Sequence, residues 1–378
     1  MSPLWCAQWP RTLVLQSRNM PVFARTCAFA AVASLSLGLS ACAPAAEPVA
    51  ENDPQAGTAE TAVELIADDY VILYSGREET LIQPLIDIFT EETGITVDIR
   101  YAGTSELAAQ LFEEGDQSPA GVFLSQDAGA LGALSDAGFF VSLPGEITDR
   151  VDANYSSTDS SWVGVTGRAR VIVYDSETVA AEDLPQSVDE IVGPQWSGKV
   201  AVAPGNASFQ SFVTAYRVLL GNSAADQWVS GLVVNDPQIY EKNGAILEAV
   251  NDGIVPLGLI NHYYWHRLAA ERGVENMRAQ LHFTPAGDPA SIVNVTGAGV
   301  LVSQQGDADA FRLVEFLVSD RAQQYFVDET FEYPLVPGID VPEGLPALSS
   351  LQVANLDLSD LRSLAETQLL LQKYGLIL

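Results

Sequence analysis

The sequence predicts an α/β protein of two lobes with a ligand cleft between them. Three patterns carry this. Short apolar runs alternate with helix-period segments from Asp69 to Leu124, a second block of the same kind runs from Ala169 to Ile260, and Val293 to Val318 reads as a return to the first block. Two lobes joined by crossing strands leave a crevice, a common place for ligands. At 378 residues the chain suits roughly two domains, and 48% hydrophobic residues supply the core.

The elements follow in order. Arg25 precedes the apolar stretch Ala28 to Leu39, too short to span a bilayer and shaped like a secretory signal. Residues 1–19 read poorly as a signal, and Met20 is an alternative start. Leu39-Ser40-Ala41-Cys42 then matches the lipobox of bacterial lipoproteins, so Cys42 is expected to become an acylated N-terminus after removal of residues 1–41. Cys6 and Cys27 leave with the signal, so the mature domain is expected to hold no disulfide and no thiol-based zinc site. Residues 42–68, rich in Ala, Pro and Glu, read as the lipidated Cys and a flexible acidic linker.

Tyr70 to Tyr74 is an apolar strand closed by Ser75-Gly76. Glu78 to Thr93 carries Leu81, Leu85, Ile88 and Phe89 at helical spacing and stops at Gly94. Ile95 to Ile99 alternates as a strand, Ser105 to Glu114 is a helix, and Gly121 to Leu124 is a buried strand. This order argues for a largely parallel sheet, in which ligands bind beyond the carboxyl ends of the strands. In the second block, 169–174, 200–202 and 255–260 are strand candidates, and 211–220, 224–232 and 245–251 are helices. Strand 293–302 and helix 308–318 lead back. The expected division is lobe one at 69–167 plus 295–378 and lobe two at 168–294.

With 18 Lys+Arg against 49 Asp+Glu, the formal charge is −31, which excludes nucleic acid as a natural partner. A Gly-x-Ser-x-Gly elbow, a His-Glu-x-x-His motif and a P-loop are all missing, so capture of a solute is favoured over catalysis, with a hydrolase as the weaker alternative. Tyr263 and Tyr264 end the last strand of the second block, before Trp265 and His266. A tyrosine pair there reads either as aromatic packing or as hard-metal ligation by phenolates.

Several segments in shared order then make the chain resemble the periplasmic ferric-iron-binding proteins of ABC importers, a branch with the type II solute-binding fold. They are Val71 to Glu79, Ser125 to Leu131, Trp162 to Arg170, Lys242-Asn243-Gly244, Asn261 to Tyr264 and Gly287 to Ala290. The resemblance implies that Tyr263 and Tyr264 are phenolate ligands of Fe(3+). Glu78 stands where family members often place a His, and Gln126 where they often place a Glu. Phe209 replaces a further Tyr of some members and cannot ligate. Two phenolates and the Glu78 carboxylate sum to −3, enough to neutralise a ferric ion. The resemblance also implies a synergistic carbonate or phosphate, held at the helix start Asn206, Ala207 and Ser208 with Asn243 and Asn261. Arg168 or Arg170 compensates its charge; alternation along a strand puts both on one face and does not choose between them. Glu79 and Asp127 read as early-helix residues, and His262 and His266 as groups that pack around the tyrosines. The implied partners are an ABC importer permease and, through Cys42, a bacterial membrane, with the monomer facing the periplasm or cell exterior. Another cargo, whether an oxyanion, a polyamine or an iron chelate, stays open at this point.

Overall fold

β1 (Tyr70–Ser75) forms because its apolar run buries Val71, Leu73 and Tyr74 between two layers of helix. The structure, a computed structural model, describes residues 65–351 and 356–378; the signal segment, Cys42 and the linker up to residue 64 lie outside the described residues. Residues 65–378 fall within one compact unit. After β1 come α1 (Glu79–Thr93), β2 (Thr96–Tyr101), α2 (Thr104–Glu114), β3 (Val122–Ser125), α3 (Ala128–Asp136) and the single turn α4 (Gly145–Thr148). The α1 helix buries Leu81, Ile82, Leu85, Ile86 and Phe89 and ends at Gly94 in the left-handed region, the expected stop. β1 pairs in parallel with both β2 and β3.

The connection between lobes is β4 (Val163–Asp175), thirteen residues long and buried throughout except for the half-buried Tyr174. The sequence reading began this strand at Ala169. Gly164, Thr166 and Gly167 obscured its first half, yet Gly is required at 164, where a Cβ would lie 2.2 Å from the Tyr155 carbonyl oxygen. The second lobe follows as β5 (Val200–Val202), α5 (Ala207–Leu220), α6 (Asn222–Val234), β6 (Gln238–Ile239), α7 (Asn243–Asn251), β7 (Leu257–Asn261), α8 (Tyr263–Arg272) and β8 (Ala279–His282). Then β9 (Val293–Val300) returns, followed by α9 (Ala308–Leu317), α10 (Asp320–Tyr325), β10 (Tyr333–Pro334) and α11 (Leu364–Lys373).

The sheet path is β2-β1-β3-β9-β4-β7-β5-β6, with β8 and β10 also pairing β4. From Val163 to Ala169, β4 runs antiparallel to β9; from Arg170 onward it runs antiparallel to β7. The strand therefore changes partner, and lobe, between Ala169 and Arg170. The large core spans the first lobe and the crossing strands, and a second cluster around Phe209, Phe212 and Trp228 fills the other lobe. This is the two-lobed α/β fold that the sequence predicts.

The expected division places residues 295–378 together in lobe one; α11 packs on α5 and α6 of the second lobe. The reason is polar as well as apolar: the Thr214 and Thr367 hydroxyls lie 2.7 Å apart, Arg217 pairs with Glu366, and Leu371 is buried in the second cluster. The turn just before it, Leu358–Arg362, packs on α3 of lobe one. Gly129 and Gly132 allow that approach, since a Cβ there would lie 2.8 Å from the Leu361 and 2.7 Å from the Ser359 carbonyl oxygen.

Candidate metal centre

The residues singled out by sequence collect at carboxyl ends of strands. β7 delivers Asn261, His262 and then Tyr263 and Tyr264 on the first turn of α8. The two tyrosine rings stack with centroids 4.4 Å apart and planes at 27°. Tyr263 is 2% exposed and Tyr264 is half-buried. Burial, then the neighbouring Tyr264, raises the Tyr263 hydroxyl well above its ordinary value, while Arg77 and Arg168 pull it down. A buried phenol of this kind keeps its proton until a strong cation displaces it.

Glu78 and Gln126 follow β1 and β3. Glu78 is the residue before α1, exposed, and makes no capping hydrogen bond. Gln126 is half-buried, and its backbone N–H donates to Thr104 Oγ1 at 3.0 Å. That threonine also sets the β1–α1 turn: a Cβ at residue 76 would lie 2.1 Å from its Oγ1, so only glycine fits. Among the described residues, no hydrogen bond engages the Glu78 or Gln126 side chain, and none joins either to the tyrosines. Asp127 caps α3 by accepting from the Gly129 and Ala130 N–H groups, as its position suggested.

Sequence reasoning missed Arg77 and Glu332. Both are almost completely buried, and Arg77 Nη2–H donates to Glu332 Oε1 at 2.5 Å. Thr166 Oγ1–H donates to Glu332 Oε2 at 2.6 Å. Arg77 lies inside the quoted 71–79 segment, so its place was visible; Glu332, in a run of acidic residues, looked like surface.

The expected anion loop forms one polar network. Asn206 caps α5: its Oδ1 accepts from Ser208 N–H at 3.0 Å and from Ser208 Oγ–H at 2.7 Å. Asn243 Nδ2–H donates to Ser208 Oγ at 2.9 Å. Arg170 Nη1–H reaches Ser208 Oγ at 3.1 Å and the Asn243 and Asn261 Oδ1 atoms at 3.4 Å each. The helix start is thus less open than expected, because the cap already occupies the Ser208 N–H; the Ala207 N–H makes no hydrogen bond among the described residues. Phe209 is buried beneath the Arg170 guanidinium, 5.9 Å from ring to charge.

Arg168 and Arg170 line one cavity with Ser208, Ser211, Asn261 and Asn294. They differ in their company. Arg170 bonds to second-lobe groups, while Arg168 sits in the field of Arg77 and Glu332, then of Tyr263 and Asp127. Burial, followed by the like charge of Arg77, pulls Arg168 down, and burial lowers Arg170 to about 9, still protonated at neutral pH. Arg168 Nε and Nη1 and Arg170 Nε are buried without a hydrogen-bond partner. Such donors call for an acceptor from a ligand.

The two histidines differ: both ring nitrogens of His262 are engaged, while His266 Nε2 is buried without a hydrogen-bond partner. His262 is fully buried; Ala169 N–H donates to its Nδ1 at 3.1 Å, and its Nε2 lies 2.9 Å from the Phe331 carbonyl oxygen. An accepting Nδ1 assigns the proton to Nε2. Burial lowers His262 to about 3 and His266 to about 4, so both are neutral. The His266 ring stacks on Phe331 at 5.8 Å. Among the described residues, no group of three His, Cys, Asp or Glu is arranged to hold a metal ion. The tyrosines offer phenol oxygens at this place, and donors of that kind suit a hard, highly charged cation.

The sequence profile described as bacterial extracellular solute-binding protein matches residues 117–357. The "Major ferric iron-binding protein" of Neisseria meningitidis serogroup B is 33% identical over 308 residues, 81% of this chain and 93% of that protein. Iron-bound HitA from Pseudomonas aeruginosa superposes with a TM-score of 0.77 at 32% identity, covering 81% of this chain and 99% of that one. The Trichodesmium protein IdiA (FutA), solved with iron and citrate ligands, gives a TM-score of 0.71 at 29% identity, covering 81% and 99%.

Proposed function

This chain belongs to the bacterial extracellular solute-binding protein family, and from that premise we propose that it captures ferric iron between its lobes for delivery to an ABC importer permease. It is a binding protein and not an enzyme. The observation that carries the reading is the stacked Tyr263–Tyr264 pair at the end of β7, with Tyr263 buried beside Arg77 and Arg168. Both phenols lose their protons to solvent as the ion arrives, and Glu78 and Gln126 complete the protein's share of the shell from the other lobe. With ligands on both sides, binding favours the closed arrangement of the lobes.

An anionic co-ligand fits the same site. The unpartnered donors of Arg168 and Arg170 and the network of Asn206, Ala207, Ser208, Asn243 and Asn261 favour carbonate or phosphate beside the ion. The same donors favour a second reading, an iron chelate bearing carboxylates, as the iron-and-citrate structure of the Trichodesmium relative suggests. We take the lobes as 69–167 with 295–363 and 168–294 with 364–378. We further propose that residues 1–41 are removed on export and that Cys42 carries the lipid anchor, leaving a monomer tethered outside the cytoplasmic membrane.

Ferric iron added to the purified chain should give a visible phenolate-to-iron charge-transfer band, strengthened by carbonate. Tyr263→Phe and Tyr264→Phe should each weaken it, and together abolish it. A colourless wild type, or a band that survives the double substitution, sinks the proposed centre.

A further inference from the structure

Two consecutive residues far along the chain touch both halves of the proposed ligand set. Phe331 and Glu332 follow a π-helical turn, Phe326–Thr330, and Phe331 stands in the left-handed region at φ 57°. A bulky aromatic residue seldom adopts that conformation, so the surrounding contacts must hold it there. The Phe331 carbonyl accepts the Nε2–H of His262, whose ring also accepts the Ala169 N–H and whose own N–H donates to the Ala169 carbonyl at 3.1 Å. His262 is thereby fixed by three hydrogen bonds to two residues, and the next residue is Tyr263. The Glu332 carboxylate accepts from Arg77 and from Thr166. The residue after Arg77 is Glu78.

The plainer account is a buried ion pair and a satisfied core histidine that add stability. Buried ion pairs are poor stabilisers compared with apolar residues of the same size, because desolvation offsets most of their attraction. What they specify well is position, since each bond tolerates little displacement. Here two polar grips issue from adjacent residues, and each ends one residue short of a proposed ligand.

Resting on the ferric reading above, we propose that Phe331–Glu332 is a positioning element that holds the tyrosine pair of the second lobe in register with the β1–α1 turn of the first. His262 transmits its hold to Tyr263 and Arg77 transmits it to Glu78. None of these four residues touches the ion.

The test compares His262→Leu, His262→Gln, Glu332→Gln and the His262→Leu/Glu332→Gln double variant with the wild-type full chain. Two readouts are used: the ferric charge-transfer band with its affinity, and near-ultraviolet circular dichroism of the metal-free chain, which senses the stacked tyrosines whether or not iron binds. His262→Leu should shift the band maximum, weaken ferric affinity by roughly tenfold or more, and alter the metal-free tyrosine signal while far-ultraviolet dichroism stays unchanged. His262→Gln, which restores an N–H donor near Nε2, should recover most of both signals. The double variant should lose less than the product of the single losses, because both act through one element. Should Glu332→Gln misfold, Thr166→Val replaces it, removing one bond and leaving the ion pair. An unchanged tyrosine signal in His262→Leu, or independent losses in the double variant, overturns the proposal. A wild type that binds no iron instead overturns the functional reading, and the metal-free signal still judges the positioning element.

Discussion

Burial and a stacked neighbour both oppose the Tyr263 phenolate. On the proposed reading, the phenol therefore keeps its proton until a highly charged cation arrives, and its negative charge is reserved for the loaded state. Gln126 is the residue whose chemistry departs most plainly from this demand. It is half-buried, its side chain makes no hydrogen bond among the described residues, and it brings a neutral oxygen to a position from which a carboxylate would serve a trivalent ion better. Gln126→Glu is therefore expected to tighten ferric binding roughly tenfold, about 1.4 kcal/mol, and to lessen its dependence on added carbonate. Competition against a coloured chelator measures both, and an unchanged affinity removes Gln126 from the shell. At this scale the sequence exposed residues lying beside strand ends: Glu78, Gln126, Asn206 and the tyrosines. Glu332 stayed hidden because its partner Arg77 is 255 positions away and nothing local marks it as buried.

Among the elements, the β4–β8 ladder is reinforced by Arg278, which pairs with both Asp175 and Glu177. Arg278, just before β8, donates through Nε and Nη2 to the two Asp175 oxygens at 2.5 and 2.6 Å. Burial alone would raise the Asp175 carboxyl, but Arg278, Thr178 and the Glu177 N–H together hold it below its ordinary value. A carboxyl depressed in the folded state contributes stability above its unfolded value, near ~4, and that contribution is lost as pH falls through the folded value. Arg278→Leu should thus cost about 2 kcal/mol at pH 7, the range for bonds to a charged partner. Its loss of stability on acidification below about pH 4 should be shallower than that of the wild type. Urea denaturation from pH 2 to 7 checks this; parallel curves would contradict it. The alternation of β1 to β3 was legible because local periodicity and Gly94 mark each boundary. By contrast, α8 was not foreseen: Tyr-Tyr-Trp-His-Arg has no apolar stripe, and contacts outside the helix, such as Trp265 Nε1–H to the Ala279 carbonyl at 2.6 Å, help to hold it. Four-residue β8 and the first half of β4 escaped for the same reason, since their partners are remote in sequence.

At the level of the whole molecule, the C-terminal segment belongs to both lobes, with Leu358–Arg362 on α3 and α11 on α5. Ending the chain at Ser363 removes the buried Leu371, Thr367, which bonds Thr214 and Arg217, and Glu366, which pairs with Arg217. Burial of one leucine alone stabilises by about 2 kcal/mol, so Tm should fall by roughly 5 °C. Small-angle scattering should show the metal-free truncated chain to be larger than wild type, with the charge-transfer band still forming on iron addition. An unchanged radius would mean that α11 is packing alone. The two-lobed plan was readable because strand-helix alternation repeats in two blocks; the destination of the tail was not, because its contacts depend on glycines and hydroxyls more than 140 positions earlier. The exchange of partners by β4 between Ala169 and Arg170 has a mechanical corollary. β4, the turn into β9 and the segment between Leu358–Arg362 and α11 each pass from lobe to lobe, and three attachments leave few degrees of freedom to a jointed body. On the proposed reading, in which cargo closes the lobes, occupancy is encoded in one angle, and a distant receptor needs to measure only the spacing between two surface points to know whether cargo is aboard.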